Sequence, residues 1–221
     1  MVIYDQGTGA QILSISIPST SQTACTSVQP PPGCPITNAV QPYILQKFVT
    51  IVSLPTTTQG YFATWTANAR NNDVYNLDNP GGQSMSLYCT MAPPSLPNSS
   101  PVFASEAVAL ICVNDTTTLL NNAVDADGDR LVYSFGQPYG NLSGGATPPS
   151  VVPYAAANPA SGTFSVSSAM GTTPGNFAII NQATGTAKYG STLLAKKYVV
   201  AIDVSEYRTI GSRQVLIGVT R

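Results

Sequence analysis

Apolar and polar positions alternate with a period of two along much of this chain, and no long stretch follows the 3.6-residue period of an amphipathic helix. Near the start, Leu13, Ile15 and Ile17 alternate with Ile12, Ser14 and Ser16 after a glycine-containing turn, which predicts a strand. Phe48, Thr50, Val52 and Leu54 share one face of a second run. Tyr61, Ala63, Trp65 and Ala67 share one face of a third, after the turn PTTTQG. The single tryptophan, Trp65, is thereby expected in a core. Further strands are predicted over 84–90, 107–113, 117–120 and 131–135, whereas 136–162, rich in Gly, Pro and Ser, has no clear period. Tyr198, Val200, Ile202 and Val204 alternate with Val199, Ala201, Asp203 and Ser205, and Val215, Ile217 and Val219 define the last strand.

Short strands separated by turn residues indicate an all-β protein made of antiparallel β-sandwiches. The segment MAPPSLPNSSP, 91–101, carries four prolines in eleven residues and reads as a domain boundary. Two tandem sandwiches follow, an N-terminal one over 1–97 and a C-terminal one over 98–221. The N-terminus has neither a basic leader nor an apolar run of the secretory kind, so the expectation is that numbering begins inside a longer polypeptide or after a removed leader.

Composition then narrows the chemistry. Of 221 residues only 9% are charged, against about a quarter in ordinary globular chains, while the apolar share is a normal 43%. A net charge of −1 offers no electrostatic basis for binding nucleic acid or an anionic membrane surface. No apolar run approaches the roughly 18 residues of a membrane span. The absence of histidine excludes Ser-His-Asp and Cys-His catalysis within the chain and most zinc sites. With four lysines there is little to block strand edges, so self-association with copies or with neighbouring domains is the expected partnership.

The four cysteines, Cys25, Cys34, Cys89 and Cys112, lack zinc-site spacing and read as disulfides formed in an oxidising, extracellular or cell-surface compartment. The short loop TSVQPPPG favours a Cys25–Cys34 bridge, which leaves Cys89 with Cys112. Three pairings are open to four cysteines, and buried free thiols are the alternative.

One motif carries candidate chemistry. In AVDADGDRLVYSF, 123–135, Asp125, Asp127 and Asp129 stand at i, i+2 and i+4 with Gly128 permitting a tight bend. Crowded carboxylates favour a hard cation, and oxygen ligands at this spacing suit Ca²⁺. The position of Gly128 and the lack of a suitable following Glu argue against an EF-hand, and an exposed Asp-Gly turn without metal is the other reading. Glu106 and Glu206 are the only glutamates. A carboxylate-dependent glycoside hydrolase would need two such acids and is the less favoured class; a non-enzymatic role is expected. Glu206 and Arg208 lie two residues apart on one strand face, where they can pair as a surface ion pair or cap neighbouring loops. Asn98, Asn114 and Asn141 begin N-glycosylation sequons. Tyr139, Tyr154 and Tyr189, in segments rich in Gly, Pro and Ala, are candidate platforms for surface glycans or anchors for a protein partner, so a glycan-binding module is the alternative function.

The order RNNDVYN at 70–76, PNSSPVF at 97–103, Cys112, AVDADGDRLVYSF at 123–135 and KYVVAIDVSEYRTIGSRQVLIGV at 197–219 resembles a family of secreted repeat proteins of Bacteroidota. These are the gliding-motility-associated surface adhesins exported by the type IX pathway, built from immunoglobulin-, PKD- or cadherin-like sandwiches. The resemblance implies an acidic turn at Asp125, Asp127 and Asp129, an EYR element at Glu206, Tyr207 and Arg208, and O-glycosylation on Thr116 within Asp115-Thr116-Thr117. It departs at Ala69, where the family commonly has cysteine, and in an N-terminal sandwich that begins later than the family's. The function it implies is a non-catalytic extracellular structural or adhesion protein, a subunit or segment of a surface filament, sheath or adhesin.

Overall fold

The fold was obtained as a computed structural model, which describes residues 1–25, 33–34, 42–68, 70–77, 80–82, 84–106, 108–143, 150–153, 169–171 and 173–221. It is all-β and antiparallel, as the alternation predicts.

The strands are β1 (Val2–Asp5), β2 (Gln11–Ser14), β3 (Ser19–Cys25), β4 (Tyr43–Phe48), β5 (Tyr61–Ala67), β6 (Met85–Met91), β7 (Val102–Phe103) and β8 (Thr116–Leu120). They continue with β9 (Ala123–Val124), β10 (Arg130–Gly136), β11 (Tyr139–Ser143), β12 (Ser150–Pro153), β13 (Phe177–Ile180), β14 (Thr186–Gly190), β15 (Ala201–Ile210) and β16 (Arg213–Thr220). A large sheet runs β10-β15-β16-β6-β5-β1-β2, with β11 beside β6 and β12 beside β11. A second sheet has the order β13-β14-β8, and two ribbons, β3-β4 and β7-β9, complete the set.

The main core lies between the β10–β15 end of the large sheet and the β13-β14-β8 sheet. Phe135, Met170, Ala178, Ala187 and Tyr189 are buried there, with Ile202, Leu119 and Ile180 packed around them. This is the two-layer solution by which strands with one apolar face leave water. At the other end Ile3, Tyr61 and Ala63 are buried against Ile12, Leu13, Val52, Leu54 and Cys89. The proline-rich segment after β6 does not interrupt the large sheet, since Val219 of β16 pairs with Thr90 of β6 and Tyr139 of β11 with Ser86 of β6.

Several local expectations are corrected. Residues 49–57 form no strand; Val52 and Leu54 are anchors of an extended segment laid on the core, with alternation but no ladder partner. Residues 108–113 are likewise not a strand and make one bridge, Val113 to Ser191. The featureless 136–162 region contains β11 and β12. Trp65 is half-buried beside Phe48, with ring centroids 6.4 Å apart, and Phe62, at 2% exposure, takes the deep position on β5 instead.

The cysteine pairing also differs. The bridge joins Cys34 to Cys112, with Cα atoms 5.6 Å apart, while Cys25 and Cys89 are free thiols. Cys25 ends β3 opposite Tyr43, and Cys89 lies within β6 opposite Ala63, packed against the Ile3 cluster. Nearness in sequence misled here because Cys25 is held at the end of β3 opposite Tyr43, while Cys34 is joined to Cys112 just before β8. Cys89 behaves as a small, partly buried hydrophobe, and desolvation pushes its thiol pKa up.

Candidate metal centre

The acidic turn is built by its first aspartate. Asp125 Oδ1 accepts the backbone N–H groups of Asp127 at 3.0 Å and Asp129 at 2.7 Å, which folds the five residues into a compact loop. Gly128 has φ +77°, the left-handed conformation the bend requires. Asp129 immediately precedes β10, whose first residue Arg130 pairs with Tyr207 of β15. Register thus delivers the loop to the stretch of β15 that carries Glu206 and Arg208.

Glu206 is two residues beyond Val204 and therefore on the same strand face, directed inward. It is 1% exposed. Room for it comes from the partner strand, where it sits opposite Gly218 beside a β-bulge; a Cβ at Gly218 would stand 2.7 Å from Glu206 Oε2. Asn98 donates its amide to Glu206 Oε2 at 2.9 Å. One carboxylate oxygen from each of Asp125, Asp127, Asp129 and Glu206 lies within 4.8 Å of the others.

Arg208 supplies the internal counter-charge. Its Nε donates to both oxygens of Asp129, and its Nη2 reaches Asp129 at 2.5 Å, Asp127 at 3.3 Å and Asn98 Oδ1 at 2.7 Å. Nη1 donates to the carbonyl of Pro97 at 2.8 Å, and the Ser99 N–H donates to Asp127 at 2.6 Å. Three separate segments, 97–99, 125–129 and 206–208, are clasped in this way. The guanidinium holds the Asp129 carboxyl below the usual carboxylate range, and Asp129 in turn raises Arg208.

Four carboxylates against one guanidinium leave the cluster with three formal negative charges in excess. Two of its buried oxygens, Glu206 Oε1 and Asp125 Oδ2, have no hydrogen-bond donor among the described residues. Burial is the main reason Glu206 rises from an ordinary value of 4.5 to about 7, with the neighbouring Asp125 carboxyl raising it further. A buried carboxylate oxygen without a donor is costly, so these atoms need either a proton or a cation. The donor set consists of hard carboxylate oxygens and fits Ca²⁺ better than a soft or imidazole-seeking metal.

Of the residues singled out in the sequence, Asp125, Asp127 and Asp129 are brought together as expected. Glu206 and Arg208 do not form a surface pair; Arg208 caps the neighbouring loops, and Glu206 joins the acidic cluster. Its membership was signalled by register, since a glutamate in phase with Ile202 and Val204 falls on the core face. Asn98 spends its amide on Glu206 and Arg208, so a glycan attached to its nitrogen would disrupt the clasp. Asn114 and Thr116 are exposed, and the Asn141 side chain lies outside the described residues. Glu106 is also exposed, accepts a hydrogen bond from the Tyr43 hydroxyl and is not in the cluster.

The tyrosines proposed as sugar platforms are corrected in part. Tyr189 is buried within β14, and Tyr139 lies in β11 with the Arg221 guanidinium 4.0 Å from its ring centre; Tyr154 lies outside the described residues. Among the described residues no helix is long and apolar enough to cross a membrane, and the disulfide is compatible with an extracellular location. No protein-family model, no curated protein and no solved structure matches the chain.

Proposed function

We propose that this chain is a non-catalytic extracellular structural or adhesion protein, a subunit or segment of a cell-surface filament, sheath or adhesin, stiffened by Ca²⁺ at the acidic cluster. The observation that carries the reading is the pair of buried carboxylate oxygens without donors, Glu206 Oε1 and Asp125 Oδ2, at the meeting point of three chain segments. Asp125, Asp127, Asp129 and Glu206 would hold the ion, whose charge offsets their mutual repulsion and fastens 97–99 to β10 and β15. Extracellular modules of this kind work with dissociation constants on the order of 10⁻⁴ to 10⁻³ M, matched to the calcium outside cells. The resemblance of the D-x-DGD-x-L-x-Y run to secreted Bacteroidota adhesins supports the same assignment.

Two measurements test it. Calorimetric titration of the whole chain should give one Ca²⁺ site in that affinity range with weaker Mg²⁺ binding, and antibody against the chain should label intact cells of its source. No heat of binding up to tens of millimolar would remove the ion from the proposal. Labelling that appears only after permeabilisation would remove the surface role.

A further inference from the structure

The β3–β4 ribbon stands apart from both sheets: among the described residues its two strands pair with each other and with no other strand. All of β3 except Cys25 and all of β4 except Tyr43 is exposed. The apolar side chains Ile44 and Phe48 lie on one face and Leu45 on the other, and all three are open to solvent. A two-stranded ribbon alone is marginal in water. This one is held by ties instead of packing: the Cys34–Cys112 bridge in the connection between its strands, the Tyr43 hydroxyl bonded to Glu106, and the Phe48 ring beside Trp65. The ties fix where it stands, and among the described residues its outer edges have no ladder partners.

Charge says what such an edge can receive. From Gln6 to Gln46 there is no charged residue, and Lys47 is the single charge between Asp5 and Arg70. Strand edges meant to remain single carry lysines, prolines or inward charges, and β3, with the sequence STSQTAC, has none of them. A seven-residue uncharged segment without Pro or Gly is the kind that pairs with its own copy, where Thr, Ser and Gln side chains meet their equivalents and every backbone group finds a mate. A strongly charged partner would find a single complement on the ribbon, Lys47 of β4, and none on β3. A ribbon of the same pattern needs none, and each copy of the chain carries one.

We propose that the β3–β4 ribbon is an assembly element: the ribbon of one copy pairs edge to edge with the ribbon of a second copy, making an intermolecular sheet. This rests on the reading of the chain as a surface structural protein and names the contact that would build it. Pairing of β3 with β3 closes a two-fold dimer, and pairing of β3 with β4 continues as a filament.

Sedimentation velocity of the whole chain over a wide concentration range is the test, on the wild type and on Ile44→Lys and Thr23→Lys made separately. Both substitutions are at exposed positions on different strands, so cooperative melting and an intact Cys34–Cys112 bridge are expected in each, and misfolding of one leaves the other to decide. The wild type should assemble with rising concentration, and each lysine should raise the concentration needed by about tenfold or more. A wild type that stays monomeric throughout, or assembly undiminished by both lysines, overturns the proposal. If assembly is undiminished while intact cells still label with antibody, the ribbon assignment fails alone; label confined to the cell interior defeats the surface role whatever the ribbon does.

Discussion

Replacing Glu206 by glutamine separates the two ways in which the buried oxygens of the acidic cluster can be satisfied. Glutamine matches glutamate in size, so the space opposite Gly218 remains filled and the hydrogen bond from Asn98 can be kept on the amide oxygen. The new amide nitrogen faces the cluster, where Asp125 Oδ2 lacks a donor. In chelator at neutral pH the variant should therefore be more stable than the wild type by about 1–3 kcal/mol, the usual cost of an unsatisfied buried polar group. Calcium reverses the order. At a hundred times its dissociation constant the ion stabilises the wild type by about 2.7 kcal/mol. For a chain of this length that is roughly 5–10 °C in melting temperature. Glu206→Gln, with one of four charged ligands gone, should lose most of that gain. The assay is differential scanning calorimetry of both proteins in chelator and in millimolar calcium. Equal stabilisation of the variant under both conditions, with a wild type indifferent to calcium, would mean that Glu206 and Asp125 share a proton and hold no metal.

The same carboxyl predicts a pH dependence. Because the folded value of Glu206, about 7, lies above its ordinary 4.5, its contribution is fully present below pH 4.5 and is lost as pH rises to 7. Urea midpoints in chelator should show this decline in the wild type and not in Glu206→Gln. The disulfide closes a loop with a sequence separation of 78, worth about 4.5 kcal/mol in chain entropy, so Cys34→Ser/Cys112→Ser should lower the urea midpoint accordingly. A loss under about 1 kcal/mol contradicts the pairing. Alkylation of the native, unreduced protein should modify Cys25 readily and Cys89 slowly, since burial disfavours the Cys89 thiolate; peptide mass mapping reads the ratio, and faster labelling of Cys89 refutes its placement.

Strands with one face on a core were legible in the sequence because burial imposes the period of two: β5, β6, β10 and β16 lie close to where the pattern puts them. Strands held chiefly by backbone pairing were not. β3, with no apolar alternation, is a strand because β4 lies beside it. The reverse error at 49–57 has the same root, since alternation records burial and not the presence of a ladder. The three aspartates of the centre were legible because they are local, each within two residues of the next. Glu206 and Arg208 reach the centre through the register of β10 on β15, and Asn98 through side-chain bonds to both, about 80 to 110 residues apart in sequence, which no spacing rule encodes. The cysteines show the same limit, a short loop suggesting one bridge and the fold making another.

The bridge between Cys34 and Cys112 also decides how this molecule would bear load. If neighbours pull through β3, tension reaching Cys34 passes covalently to Cys112, just before β8, without traversing the residues between. The 77 positions from 35 to 111, which include β5 and β6 at the centre of the large sheet, are shielded from extension while the sulfurs remain joined. Reduction would release them as roughly 260 Å of additional contour length. The oxidised protein would then act as a short strut, and the reduced one as a long, yielding tether.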